Sequence, residues 1–114
     1  MLAASASAYS APKTVLVVGD SLSAEYGLTR GAGWVALLEQ KLKAEKIDAR
    51  IVNASISGET TSGGRARLPA LLTAHKPQIV VIELGANDGL RGLPVASAEA
   101  NLRQMVTLSQ KQDA

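Results

Sequence analysis

The sequence predicts an α/β protein built on a parallel sheet, and three observations support that prediction. From Thr14 onward, β-branched apolar runs alternate with segments of helical periodicity in the order β-α-β-α-β-α. Each helical segment is long enough to serve as a right-handed crossover between parallel strands. The first run, residues 14–18, is apolar throughout, which is typical of a strand covered on both faces.

The strands are predicted from apolar runs and the helices from apolar stripes. The predicted strands are residues 14–18, 50–53 and 79–82, with loops over residues 54–64 and 85–94. The stripes consist of Trp34, Leu37, Leu38 and Leu42 in the first helix, Leu68, Leu71 and Leu72 in the second, and Leu102, Met105 and Val106 in the last. The first helix should run from Gly33 to about Lys46. The second must stop before Pro77, because the residue preceding a proline disfavours helical geometry.

Length and composition allow one domain and exclude several classes of protein. A chain of 114 residues holds one core, and a net charge of +2 with scattered basic residues does not indicate a nucleic-acid partner. No apolar run approaches the ~20 residues of a membrane span. Without cysteine, and with His75 as the only histidine, neither a thiolate nor a histidine-cluster metal site is expected, and no cofactor is predicted.

The two ends of the chain carry separate expectations. Residues 1–13 are predicted to be a flexible tail, and their small, Ala- and Ser-rich composition resembles the cleavage region of a secretory signal, which favours a periplasmic or secreted protein. Residues 14–114 contain only three strands, a low count for such a sheet. They are therefore expected to be the N-terminal part of a larger domain whose next unit is another strand.

Each predicted strand is followed by a loop with a residue suited to one reaction. Ser21 follows the first strand as a candidate nucleophile, and Gly58 follows the second, where a glycine lets a backbone N–H turn towards an oxygen. Asn87 follows the third and offers a side-chain amide. Because the carboxyl ends of parallel strands share one edge of the sheet, the three residues should lie close together.

Three motifs resemble the first sequence blocks of the GDSL, or SGNH, hydrolases, and within them the periplasmic thioesterase I, lysophospholipase L1 and arylesterase branch. They are Gly19-Asp20-Ser21-Leu22-Ser23, the segment 53–60 (NASISGET) and Gly85-Ala86-Asn87-Asp88. The resemblance implies a flavodoxin-like three-layer α/β/α fold and hydrolysis of acyl esters or thioesters. It assigns Ser21 as nucleophile and Ser21, Gly58 and Asn87 as oxyanion donors. Asp20 would shape the turn, and Asp88 would orient the loop of Asn87.

The family's fourth block, Asp-x-x-His, is absent from these 114 residues. His75 cannot replace its histidine, because it is expected at the amino edge of the sheet, about 17 to 20 Å of strand away from Ser21. The chain alone is therefore expected to hydrolyse esters very slowly or not at all. Its partner would be a separate C-terminal half, or a second copy paired through the exposed outer edge of the third strand.

Several residues have structural alternatives. Ser21 could simply be a turn serine or a helix N-cap. As an alternative function, the protein could be a flavodoxin-like module in which Ser21 and Ser23 bind a small ligand or anion without reaction. Leu90 and Leu93 could line an acyl-binding groove or cap the core. Glu83 is expected to make a structural hydrogen bond or ion pair rather than act as a catalytic acid. Arg65 and Arg67 are expected to be solvated on the surface of the second helix.

Overall fold

The structure, a computed structural model, describes residues 12–114. Along this part of the chain the elements are β1 (Lys13–Gly19), α1 (Trp34–Ala44), β2 (Ala49–Asn53), α2 (Thr61–His75), β3 (Ile79–Glu83), α3 (Ala86–Leu90) and α4 (Val95–Lys111). The predicted alternation of strands and helices is confirmed. Of the predicted tail, residues 1–11 lie outside the described residues, and Lys13 belongs to β1.

The three strands form one parallel sheet in the order β2-β1-β3. Val15 in the central strand pairs with Ile51 of β2 and with Ile79 of β3. Residues 16–18 of β1 are completely buried, as the unbroken apolar run predicts. All three strands therefore end at the same edge, and the loops that follow them face one another.

Helices cover both faces of the sheet and divide the core into two clusters. On one face, α2 and α4 pack against alternate residues of β1, in a cluster of Leu16, Val18, Leu68, Leu72 and Met105. On the other face, α1 covers Val15 and Val17 with Val35. The period of two along β1 sends successive side chains to opposite faces. The result is the three-layer α/β/α arrangement expected of the chain.

The buried face of α1 differs from the predicted stripe. Val35 is the buried residue of this helix, whereas Trp34 and Leu37 are exposed. A single helix covers this face of the sheet, so only the row of side chains nearest the strands is buried. In α4, likewise, Met105 is buried but the neighbouring Val106 is 46% exposed.

Two segments predicted to be loops are helical. Helix α2 begins at Thr61, so that Gly63 and Gly64 lie within its first turn. A side chain at Gly64 would overlap the Leu84 side chain, so glycine here permits close packing of the helix on the sheet. The predicted loop 85–94 contains the short helix α3. No helix in residues 12–114 is long and apolar enough to cross a membrane.

Candidate active site

The loop after β1 is a tight turn organised by Asp20. This residue is 1% exposed, and its carboxylate accepts a hydrogen bond from the Leu22 N–H at 3.0 Å. Its carbonyl oxygen accepts from the N–H groups of Ser23 and Ala24 at 3.0 and 2.9 Å. These are the bonds expected of a residue that shapes the turn. They place Ser21 half-buried at the carboxyl end of the central strand.

The loop after β2 contains a turn that requires glycine at position 58. The Glu59 N–H donates to the Ile56 carbonyl at 3.1 Å, and Gly58 lies between them with a φ of +85°. A side chain at this φ costs roughly 1–2 kcal/mol. The Gly58 carbonyl also accepts a hydrogen bond from the Arg91 guanidinium at 2.9 Å, which ties this turn to the end of α3.

Asn87 joins the loops that follow all three strands. It lies in the first turn of α3, and its Nδ2 is 2.9 Å from the Glu59 carbonyl oxygen and 3.4 Å from Asp20 Oδ2. One contact reaches the residue after Gly58, and the other reaches the residue before Ser21. The structure therefore brings the three sequence-predicted site residues to one edge of the sheet.

Donors of the kind that stabilise an oxyanion are free at this edge. Within residues 12–114, neither the Ser21 N–H nor the Gly58 N–H donates to a protein acceptor, and the Ser21 hydroxyl has no hydrogen-bond partner. Asn87 donates to the Glu59 carbonyl at 2.9 Å and makes a second, long hydrogen bond of 3.4 Å to Asp20 Oδ2. One hydroxyl and two backbone N–H groups at this edge thus have no protein partner within residues 12–114, and the Asn87 amide is held weakly on its second side.

Asp88 fixes the helix that carries Asn87. It is 4% exposed, and its two carboxylate oxygens accept from the N–H and the hydroxyl of Thr61 at 2.8 and 2.6 Å. Asn101 of α4 donates to the same hydroxyl at 3.0 Å. The residue beside Asn87 is therefore bonded directly to the start of α2.

The prediction that Arg67 is solvated is wrong. Its guanidinium bridges the Glu59 carboxylate at 3.0 Å and the Ala54 carbonyl at 2.7 Å. Arg67 lies in the second turn of α2 and reaches back to the loop that precedes the helix, a contact that helical periodicity alone does not reveal. Arg65 remains at the surface and donates to Asn101 at 3.0 Å.

Beneath the turn that contains Ser21 lies a polar cluster that the sequence did not predict as a unit. Glu83 Oε1 accepts from the Ser23 hydroxyl at 2.7 Å and from the Asp20 N–H at 3.2 Å. The indole N–H of Trp34 donates to the Ser23 hydroxyl at 3.0 Å. Burial raises the pKa of Glu83, and the neighbouring Asp20 carboxylate adds to the effect. The structural hydrogen bond expected of Glu83 is confirmed.

His75 and Ser21 lie at opposite edges of the sheet. His75 ends α2, shortly before Ile79, which pairs with Val15 near the start of β1. Ser21 follows the far end of β1, at Gly19. About 17 Å of strand separates the two edges, far beyond hydrogen-bond reach. The expectation that His75 lies at the edge of the sheet opposite Ser21 is therefore confirmed.

Exposed apolar side chains surround the loops of the site. Leu90 is 84% exposed and Leu93 41% exposed, so neither is enclosed in the core as capping residues would be. Two further residues, Leu22 beside Ser21 and Ile56 beside the Gly58 turn, are 67% and 46% exposed. We call Leu22, Ile56, Leu90 and Leu93 the apolar rim.

Known proteins share this sequence and fold. Esterase TesA of Pseudomonas aeruginosa is 60% identical over 95 residues, which are 83% of this chain and 47% of that protein. The Escherichia coli K12 protein named thioesterase 1/protease 1/lysophospholipase L1 is 50% identical over 96 residues, 84% of this chain and 45% of that protein. A crystal structure of TesA superposes with a TM-score of 0.88 at 56% identity, over 90% of this chain and 57% of that one.

The chain spans about half the length of the curated relatives it matches. Within this chain, the matched segments make up 83% and 84% of the residues. The model of the GDSL-like lipase/acylhydrolase family matches residues 17–114, which contain Ser21, Gly58 and Asn87. The chain therefore belongs to the GDSL-like lipase/acylhydrolase family.

Proposed function

We propose that this chain carries the nucleophile and the oxyanion hole of a serine acyl hydrolase. Ser21 is the nucleophile, and the N–H groups of Ser21 and Gly58 and the amide of Asn87 are the oxyanion donors. The observation that supports this most is the position of Asn87 Nδ2, within 2.9 Å of Glu59 and 3.4 Å of Asp20. That contact puts the third donor next to both other loops.

The reaction begins with attack of Ser21 Oγ on the carbonyl carbon of an acyl ester or thioester. The new bond places negative charge on the carbonyl oxygen, which the three donors stabilise by ~3 kcal/mol each in the transition state. Collapse of this intermediate expels the alcohol or thiol, and water then releases the acid from Ser21. The Ser21 proton passes to a histidine that we place in sequence equivalent to the half of the relatives that this chain does not span, and this histidine returns the proton to the leaving alcohol or thiol.

The substrate class follows from the apolar rim and from the names of the relatives. Those names include esterase, thioesterase and lysophospholipase. The exposed side chains of Leu22, Ile56, Leu90 and Leu93 offer an apolar surface to an acyl chain whose carbonyl lies at Ser21. We therefore propose acyl esters or thioesters as substrates.

An anion-binding module is the competing function, and the charges below the turn argue against it. Asp20 is buried beside Ser21, and the Glu83 carboxylate bonds to the Asp20 N–H. A phosphate or carboxylate ligand carries its charge when it binds and meets repulsion from these two carboxyl groups. An ester is neutral when it binds and develops charge only in the transition state, on the oxygen that the proposed oxyanion donors face.

A hybrid enzyme tests the proposed function. In this hybrid, the chain takes the place of the matched 95-residue segment of Esterase TesA, and the rest of the hybrid is the sequence of Esterase TesA. We expect the chain alone to hydrolyse a p-nitrophenyl acyl ester barely above background and the hybrid to turn over. In the hybrid, Ser21→Ala should lower kcat by at least about 10³-fold, whereas Ser62→Ala, an exposed serine of α2, should change nothing. A hybrid that keeps its activity after Ser21→Ala refutes the proposal.

We further propose that the outer edge of β3 binds another strand, either from a separate C-terminal half or from a second copy of the chain. Within residues 12–114 this edge is unpaired, and Val80 and Ile82 lie next to the half-exposed Val106 of α4. Size-exclusion chromatography of the chain should show self-association that a Val80→Lys substitution prevents. A monomer at all concentrations contradicts the second-copy form of the proposal.

Export to the periplasm or secretion is proposed from the composition of residues 3–12. Fractionation of cells producing the native protein should recover it with periplasmic or secreted markers. Recovery with cytosolic markers refutes this proposal.

A further inference from the structure

Glu83 makes hydrogen bonds to residues on both sides of Ser21 in the sequence. It is the last residue of β3, and Gly19 of the central strand is its register partner. The single oxygen Oε1 accepts from the N–H of Asp20 and from the hydroxyl of Ser23. The residue before Ser21 and the second residue after it are thereby held by one carboxylate.

The Glu83 carboxylate is tightly packed against the backbone of β1. A side-chain carbon at Gly19 would lie 2.8 Å from Glu83 Oε1 and 2.8 Å from the Ser23 hydroxyl. Ser23 itself is 2% exposed, and its hydroxyl also accepts from the Trp34 indole, while its carbonyl accepts from Asn53 at 2.8 Å. Glycine at position 19 thus allows the carboxylate to sit directly against the backbone that leads into the turn.

We propose that Glu83 is a positioning residue for the nucleophile: through the Asp20 N–H and the Ser23 hydroxyl it holds the turn that presents Ser21, without touching substrate. The inference rests on the proposed role of Ser21. A half-buried carboxylate costs desolvation energy that an apolar side chain such as Leu would avoid, which favours a role for its acceptor oxygen beyond packing. Alignment of the nucleophile is such a role, since a displacement of about 1 Å can cost about 10²-fold in rate.

Trp34 provides a readout that needs no turnover. It is the only tryptophan in the chain, and its indole is bonded to the hydroxyl that Glu83 holds. In the 114-residue chain, Glu83→Ala and Ser23→Ala should each shift the Trp34 emission maximum. Glu83→Ala should add no further shift to Ser23→Ala, because the effect passes through Ser23. Glu83→Gln, which keeps an acceptor oxygen, should restore most of the native spectrum.

The control is Glu99→Gln, an exposed acid of α4 paired with Arg103, and it should leave the emission unchanged. Gly19→Ala displaces the same carboxylate from the opposite side and should shift the emission as Glu83→Ala does. If Glu83→Ala does not fold, Gly19→Ala still tests whether Glu83 holds the turn. An unchanged spectrum in these variants, or a full additional shift in the Ser23→Ala background, overturns the inference.

The same substitutions in the hybrid enzyme measure alignment directly. We expect Glu83→Ala to lower kcat about 10- to 100-fold with KM within about twofold, and Glu83→Gln to recover most of the loss. If kcat is unchanged, or if kcat/KM falls only because KM rises, Glu83 does not position Ser21. An inactive unsubstituted hybrid refutes the proposed function instead, and the Trp34 spectra still decide whether Glu83 holds the turn.

Discussion

The backbone of Gly58 links a turn requirement to a proposed chemical role. Its φ of +85° lies in the region that side chains disfavour, and the same conformation leaves its N–H free of protein acceptors within residues 12–114. The sequence motif can predict that glycine is needed at position 58. It cannot predict the hydrogen bond from Arg91 to the Gly58 carbonyl, because this bond joins residues 33 positions apart and depends on the fold.

Gly58→Ala should destabilise the chain by about 1–2 kcal/mol because alanine is strained at this φ. Thermal or denaturant unfolding measures the change. Gly89→Ala is the matched control: Gly89 has ordinary helical geometry in α3, and open space surrounds the position of its missing side chain. Equal stability of the two variants would contradict the strain argument.

Asn87→Ala should lower kcat of the hybrid about 10²- to 10³-fold, as expected for the loss of one oxyanion donor. Asn87→Asp should be at least as damaging, since a carboxylate would face the Glu59 carbonyl and the Asp20 carboxylate. Steady-state kinetics on a p-nitrophenyl ester measures both. A loss smaller than about threefold in Asn87→Ala would exclude the amide from the reaction.

At the scale of elements, the site depends on two helix starts held against each other. The carboxylate of Asp88, in α3, caps the first turn of α2 by accepting from Thr61, while Thr60 accepts from the Gly63 N–H at 3.3 Å. Carboxylates at helix N-termini satisfy N–H groups that have no partner within the helix. The loops that contain Asn87 and Gly58 are thereby held together through α2 and α3.

Asp88→Ala should cost about 3 kcal/mol of unfolding free energy, because a buried N–H and a buried hydroxyl lose a charged acceptor. Asp88→Asn retains an acceptor for the Thr61 N–H and should cost clearly less. Urea unfolding of the chain compares them, with Glu99→Ala as an exposed control on α4. A cost within about 0.5 kcal/mol for Asp88→Ala would show that the contact does not hold the helices together.

The element pattern was predictable where a local signal exists. The apolar runs and Pro77 located the three strands and the end of α2. Helix α3 was missed because its five residues include one glycine and follow another, and its start depends on the contact between Asp88 and Thr61. The buried row of α1 was misjudged because a single helix covers this face of the sheet, and because the indole of Trp34 bonds to Ser23.

At the scale of the whole molecule, the three motifs predicted which residues meet at the carboxyl edge, because parallel strands leave them no other arrangement. The cluster of Glu83, Ser23 and Trp34 was not predicted, since it joins residues from three separate elements through distances that no sequence spacing encodes. Arg67 escaped prediction for the same reason.

The raised pKa of Glu83 predicts how stability changes with pH. A carboxyl group whose pKa in the folded chain lies above its ordinary value of 4.5 binds its proton more tightly when folded. Its contribution to stability is complete below pH 4.5 and is lost as the pH rises through the folded-state pKa. The difference in unfolding free energy between the native chain and Glu83→Gln should therefore fall as the pH rises from 4.5 through the folded-state pKa of Glu83. If this difference does not change with pH over that range, the pKa of Glu83 is not raised.

The central claim is that Ser21 is the reactive nucleophile of the site formed by the three loops. Labelling of the hybrid enzyme with a fluorophosphonate, followed by mass spectrometry of its peptides, tests this most directly. We expect one adduct, on the peptide that contains Ser21, and none after Ser21→Ala. An active hybrid with no adduct, or with its adduct on another residue, would contradict it.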